Sequence, residues 1–164
     1  MKKKNLKQNN VRWLKNLNKL QNRPTIFFGN EFLDALPIKQ FIKLKNIWHE
    51  RYVEKRGKIY KFKDFKYDIK KLENKLKFNI AKKQDFLEIS FEEIKIINQL
   101  NNIIKKKGGS ILLIDYAYLD HKMVDTLQAV KKHKKINVLK KIGSSDITHI
   151  INIPYLKKIT KQLN

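Results

Sequence analysis

Cysteine is absent from this 164-residue chain. That absence excludes disulfides, thiolate metal ligands and cysteine nucleophiles, and it fits a reducing cytosol. No apolar run approaches the roughly 20 residues that a membrane-spanning helix needs. The basic start, Met1-Lys2-Lys3-Lys4, has no apolar stretch behind it, so neither a membrane span nor a secretory signal is expected. Acidic residues are few: 15 Asp and Glu against 38 Lys and Arg leave a net charge of +23. Such a charge invites a nucleic-acid partner. Arginine, the residue best suited to bidentate phosphate and guanine contacts, is scarce, however, and the lysines run along the whole chain rather than in one stripe. With abundant Asn and Ile, the composition reads as that of an AT-rich bacterial genome giving a solvated basic surface to a cytoplasmic protein. Nucleic acid is therefore not the expected partner. A basic module for nucleic acid or an acidic protein is the alternative class. The four histidines, His49, His121, His133 and His149, share no metal-ligand spacing, and no nucleophile–base pair suggests hydrolysis.

The apolar fraction of 41% and the length are enough for one domain with a real core. The organising stretch is Thr25 to Pro37. Ile26, Phe27 and Phe28 read as a strand buried on both faces. Gly29 lets the backbone turn or approach something closely. Asn30, Glu31 and Asp34 then arrive together, where ligands bind in open α/β sheets, beyond the carboxyl ends of the strands. The same residues could instead cap a helical turn.

Residues 1 to 10 read as a polar, basic lead-in. Val11, Leu14, Leu17 and Leu20 recur at helical spacing and predict a helix to about Gln21, ended by Pro24. From Ile38 to Phe65 short alternating runs predict an antiparallel meander: Phe41 to Leu44, Ile47 to Val53, and Ile59 to Phe62 after a turn at Lys55-Arg56-Gly57-Lys58. Its Trp and Tyr are read as packing residues. Residues 64 to 86 are lysine-rich and weakly periodic, and suggest a poorly ordered helical insertion. Ser90 with Glu93 forms a capping box, Ile94, Ile97, Leu100, Ile103 and Ile104 give an amphipathic helix, and Gly108-Gly109 stop it. Ile111 to Ile114 follow as a second apolar strand, expected parallel to the first. Residues Asp120 to Lys135 are expected to be partly helical, Gly143 to Asp146 a loop, Ile150 to Ile153 a short apolar segment, and Leu156 to Leu163 a final helix.

Several stretches resemble one family, the MidA-type class I S-adenosylmethionine-dependent methyltransferases, whose mitochondrial members are complex I assembly factors that dimethylate a protein arginine. The family's Asn-Glu-Phe-Phe-Asp-Ala-Leu-Pro motif is similar to Asn30 through Pro37. Its Gly-Gly-x-x-Leu-x-x-Asp-Tyr-Gly-Tyr motif is similar to Gly108 through Tyr118. Its Asp-Thr-Leu-Arg-Ala…His resembles Asp125 to Ala129 with His133, and its Gly-x-x-Asp-Leu-Thr resembles Gly143 to Thr148. Ala117 stands for a glycine, Gln128 for an arginine and Asn152 for an Asp. The Gly-x-Gly loop that holds the methionine end of the cofactor, and the strands that close the family's sheet, find no match. The resemblance therefore implies an internal fragment, a frameshifted gene product or a degraded copy.

The fold so implied is α/β: a partial Rossmann-like class I methyltransferase sheet with an inserted antiparallel β-meander. The whole chain would be the central part of one domain, with residues 11–37 as helix, strand and site loop, 38–65 as the meander, and 66–164 as the helix-strand-helix remainder. The resemblance also implies S-adenosyl-L-methionine as cofactor and a protein substrate, a respiratory complex I subunit among the candidates. By the same resemblance Gly29 and Asn30 would sit at the cofactor. Glu31 and Asp34 would grip the substrate guanidinium, since paired carboxylates can hold it in a bidentate way. Asp34 could equally serve as a cap or turn residue. Asp115, Tyr116, Asp125 and Thr126 would face the substrate; strand-end turns and a helix start explain those four as well.

Overall fold

The computed structural model describes residues 11–140 and 142–162; the lead-in at residues 1 to 10 and the end at Leu163 lie outside them. Strand β1 (Thr25–Asn30) pairs in parallel with β6 (Gly109–Ile114), from Thr25 opposite Gly109 to Asn30 opposite Ile114. Both strands therefore end at the same edge. Gly109 is required by this pairing: at φ 122° a Cβ there would lie 1.9 Å from the Thr25 carbonyl oxygen.

Between the two strands lies an antiparallel sheet ordered β4-β3-β2-β5, built from β2 (Lys39–Leu44), β3 (Ile47–Arg56), β4 (Ile59–Lys66) and β5 (Phe86–Ile89). The meander expected between 38 and 65 is thus present. Its β2–β3 loop, Lys45-Asn46, has positive φ at both residues, the backbone that suits the twist of a two-residue hairpin. Trp48 is buried in it, as a packing residue would be, while Tyr52 remains half-exposed with its ring edge-on to Phe65.

The main core lies under this sheet rather than under β1. Phe41, Trp48, Leu87 and Ile89 of the strands meet Leu72 and Leu76 of α1 (Ile69–Leu76) and Tyr155 and Ile159 of α3 (Ile153–Lys161). Residues 64–86 are consequently not a poorly ordered insertion. Asp68 caps α1 by accepting from the Lys70 amide, and Leu72 and Leu76 supply one full turn of buried contact. Few apolar positions are needed when two of them are completely covered.

Helix α2 (Phe91–Lys107) begins as expected, with the Ser90 hydroxyl accepting from the Glu93 amide at 3.1 Å. The reciprocal half of the capping box is not formed, because the Glu93 side chain turns inward and is buried. The helix expected over Val11 to Gln21 is reduced to a single 3-10 turn, Leu17–Lys19, with Val11 and Trp13 largely exposed. A short amphipathic helix needs a surface on which to bury its stripe, and here Leu14, Leu17 and Leu20 are only partly covered.

Residues 120 to 135 are likewise not helical. They run as a loop into the hairpin of β8 (Gln128–Lys131) and β9 (Lys134–Ile136), which β10 (Asp146–Thr148) extends. Two short strands, β7 (Ala117–Tyr118) and β11 (Ile151–Asn152), pair in parallel, and Asn152 caps α3 through the Tyr155 amide. Helix α3 therefore starts three residues earlier than its apolar spacing suggests.

Candidate functional site at the ends of the parallel strands

Immediately beyond β1 the chain makes a turn that the neighbouring strand holds in place. The Glu31 amide donates to the Ile114 carbonyl at 2.8 Å, and Glu31 itself takes a left-handed backbone, φ 47°. Asp115, the residue after β6, then accepts from three successive amides with one oxygen: Phe32 at 3.1 Å, Leu33 at 2.8 Å and Asp34 at 3.3 Å. Its other oxygen accepts from the Tyr116 amide at 2.9 Å. An ionised carboxylate facing several N–H groups makes strong, charge-assisted bonds. Asn30, Glu31, Asp34 and Asp115 are thereby brought together, with Asp115 spent on the backbone of the loop that carries the other three.

Within this turn the two acids differ. Glu31 is exposed, whereas Asp34 is buried and its Oδ1 has no hydrogen-bond partner among the described residues. Burial pushes the Asp34 carboxyl above its ordinary value, and the nearby charges of Asp115 and Glu31 push it the same way. Tyr116 is exposed beside it. The Asp34 carbonyl accepts from the His149 amide at 2.9 Å. His149, one of the four histidines without metal-ligand spacing, is buried under the site, and burial lowers its proton affinity.

Asp125 and Thr126 belong to an adjoining network. Gln40 donates to Glu88 and to Asp125, both at 2.8 Å; Asp125 also accepts from Arg51 at 3.4 Å, and the Thr126 hydroxyl is bonded to Glu88. Thr126 in turn accepts from the Ile150 amide, next to His149. The two networks thus meet through residues 149–150. Gln40, Glu88 and Arg51 carried no signal in the sequence: Arg51 reads as an ordinary strand residue, and Gln40 and Glu88 fell outside the expected strands although they lie in β2 and β5.

Glu93 is a further buried acid. Burial, reinforced by the charge of Asp115, pushes its carboxyl up to about 7. Its Oε1 and the hydroxyl of buried Tyr155 both lack partners among the described residues. Reading Glu93 as a capping residue concealed this.

Beside β1, between residues 15–17, the strand and α2, lies a cavity of about 680 Å³ lined in part by Phe27, Asn30, Phe32, Ile96 and Leu113. Gly29 also borders it. A Cβ on Gly29 would sit 2.9 Å from Leu113 Cδ2, the end of a flexible side chain that would then have to shift. Among the described residues no group of three or more His, Asp or Glu could hold a metal ion.

Parallel strands with a carboxylate-bearing turn at their carboxyl ends define an α/β protein of the class I methyltransferase kind. The family described as "putative S-adenosyl-L-methionine-dependent methyltransferase" matches residues 1–164, and the chain belongs to it. It is 32% identical over 159 residues to the mitochondrial protein arginine methyltransferase NDUFAF7 homolog of Caenorhabditis elegans, covering 93% of this chain and 36% of that protein. Against the mitochondrial protein arginine methyltransferase NDUFAF7 of Danio rerio it is 27% identical, covering 91% of this chain and 35% of the relative. The chain thus spans about a third of the curated relatives it matches. A crystal structure of a superfamily member from Burkholderia thailandensis bound to S-adenosyl-homocysteine shares the fold, with TM-score 0.72 at 20% identity over 94% of this chain and 41% of that one. No helix among the described residues is long and apolar enough to cross a membrane.

Proposed function

We propose that this chain carries the substrate-side part of an S-adenosyl-L-methionine-dependent protein arginine methyltransferase. The observation that carries this reading is the turn after β1, in which an exposed Glu31 and a buried, incompletely bonded Asp34 stand together, held by Asp115. A guanidinium needs carboxylate oxygens that are not already engaged, and this turn offers them. S-adenosyl-L-methionine would supply an electrophilic methyl group on a sulfonium. Of the residues present, Asn30 fits its edge, with an exposed amide at the strand end and a cavity beside it. Glu31 would orient the guanidinium in line, the main demand of such a transfer. Asp34, with its raised proton affinity, suits the proton that the nitrogen gives up. Asp115 positions the loop, and Tyr116, Asp125 and Thr126 form the rim on the substrate side.

The proposed substrate is a protein, a subunit of respiratory complex I being the specific candidate, and the proposed compartment is the bacterial cytoplasm. The named relatives and the four matching motifs support the first point, and the lysine-, asparagine- and isoleucine-rich composition supports the second. The test is a chimera in which this chain replaces the matching third of the C. elegans relative, supplied with methyl-labelled cofactor and arginine-containing protein. Labelled methylarginine is expected. Cofactor binding with no transfer to arginine would overturn the substrate assignment. Binding of polyanions that weakens steeply with salt and ignores the cofactor would favour the basic module instead.

A further inference from the structure

Three polar side chains stand in a row across the antiparallel sheet. The register sets Arg51 of β3 opposite Gln40 of β2, and Gln40 opposite Glu88 of β5. Alternation puts all three on the face turned away from Phe41, Leu87 and Ile89. Gln40 is 4% exposed and Glu88 9%. Burial pushes the Glu88 carboxyl above its ordinary value, and the Thr126 and Gln40 donors pull it back. A carboxylate in such a place costs stability that an apolar side chain would not. Both of its oxygens are engaged, one by Gln40 and the other by the Thr126 hydroxyl.

Thr126 carries this hold to the site. Its hydroxyl accepts from the Ile150 amide, while the His149 amide donates to the Asp34 carbonyl and the Ile151 amide to the Tyr116 carbonyl, each at 2.9 Å. The 149–151 segment is thus tied to both loops of the site, and Thr126 ties it to the meander. Asp34 is gripped at both ends of its own backbone, its amide by Asp115 at 3.3 Å and its carbonyl by His149.

We propose that Glu88 is a positioning residue for Asp34: through Thr126 and the 149–151 segment it fixes where the buried carboxyl meets a substrate guanidinium. The proposal rests on the reading of Asp34 as a carboxylate of the substrate site. Glu88 acts through Thr126 and not on the reacting atoms. Since the single Thr126 proton goes to Glu88, Thr126 has no donor to offer a substrate.

Glu88→Gln keeps the volume but has one acceptor oxygen for two donors. Thr126→Val keeps the shape and removes the hydroxyl, and Thr126→Ser restores it. This second pair leaves the buried sheet intact and decides the matter if Glu88→Gln fails to fold. Two readouts are taken on the chain itself: hydrogen exchange at His149, Ile150 and Ile151, and the carboxyl carbon-13 signal of Asp34 through a pH titration. Glu31 and Asp115, whose charges act on the same carboxyl, are unaltered in every variant. Glu88→Gln and Thr126→Val should each speed exchange at Ile150 by about tenfold, as loss of one ordinary hydrogen bond would. Both should also bring Asp34 nearer the ordinary carboxylate range, because the released loop exposes it. Thr126→Ser should behave as the native chain. Faster exchange with an unmoved Asp34 signal would overturn the proposal, since Glu88 would then merely stabilise the segment. So would a Thr126→Ser variant that behaves like Thr126→Val. In the chimera with the C. elegans relative, Thr126→Val should slow methylation and leave affinity for S-adenosyl-homocysteine unchanged; an unchanged rate would also overturn it. An Asp34 response in the chain, with no methylation by the unsubstituted chimera, would leave the hold on Asp34 standing and count against the proposed activity instead.

Discussion

Asp115 Oδ2 lies 2.8 Å from the amide of Leu33, a residue 82 positions earlier in the chain. This contact, with its neighbours at Phe32 and Asp34, makes the loop after β1 a property of β6 as much as of its own sequence. The acids at the site are presented by one strand and held by another.

The first prediction follows from that arrangement. Asp115→Ala removes the carboxylate oxygen that accepts from the Phe32, Leu33 and Asp34 amides at a partly buried position, and unmade bonds of this charge-assisted kind cost about 2–3 kcal/mol in sum. Hydrogen exchange at Phe32, Leu33 and Asp34 should accelerate together, while the hairpin amides of β3 and β4 keep their rates. Asp115→Asn keeps an acceptor and should fall between. Unchanged protection at all three amides in the Ala variant would show that the turn holds itself.

Glu93 gives a pH prediction. Its folded value of about 7 lies above the ordinary 4.5, so the folded state holds more protons between those values. Stability must then fall as pH rises from about 4.5 to 7, by up to about 3 kcal/mol for this group at 1.36 kcal/mol per unit. Asp34, raised by burial, acts in the same direction. His149, lowered by burial, acts oppositely: its contribution is lost as pH falls below 6.5. Glu93→Gln isolates the first effect. It should stabilise the chain at pH 8 and change little at pH 4.5, measured by urea unfolding at both. Equal effects at the two pH values would refute the assignment.

A third prediction concerns the β8–β9 turn. Lys132 and His133 both have left-handed backbones, φ 48° and 59°, a conformation that costs ordinary residues about 1 kcal/mol or more each. Asn-Gly is the pair that such a turn favours. Lys132→Asn with His133→Gly should raise the unfolding midpoint by an amount worth about 1 kcal/mol. A lower midpoint would mean that the native side chains make contacts worth more than the backbone strain.

That turn also shows what the sequence could and could not reveal. The position of β1 was legible from Ile26-Phe27-Phe28, though not its burial, since Ile26 and Phe28 are exposed where a strand buried on both faces was expected; α2 was legible from Ser90 and its isoleucines, and the meander from alternation. These signals are local. The β8–β9 hairpin was not legible, because Lys-His carries none of the glycine or asparagine that announces a two-residue turn. Helix α1 was obscured because only Leu72 and Leu76 need be apolar once a sheet covers them. The Val11 to Gln21 stripe misled in the opposite sense, having periodicity but only partial cover for its leucines. At the site, Glu31 and Asp34 stood out as paired acids. That Asp115 would serve the backbone, and that His149 would lie beneath, depends on contacts across more than eighty residues that no spacing displays.

The last prediction tests the two acids in a domain completed by the remaining residues of a relative. Glu31→Gln keeps the shape of the side chain and removes the charge that pairs with a guanidinium. Loss of a charge-assisted bond at a site closed to water costs about 1.5–3 kcal/mol, or roughly ten- to more than a hundredfold in rate. Affinity for S-adenosyl-homocysteine should change far less, since Glu31 projects from the turn after Asn30 and the cofactor edge is assigned to Asn30. Asp34→Asn should also slow transfer and, because the Asp34 carboxyl has the raised proton affinity, should abolish the pH dependence it sets, whereas Glu31→Gln, by removing one of the charges that raise Asp34, should shift that dependence to lower pH without abolishing it. The comparison that decides is methylation rate against cofactor affinity in the same variant. If Glu31→Gln methylates at the normal rate, or loses both in equal measure, the carboxylate does not hold the guanidinium.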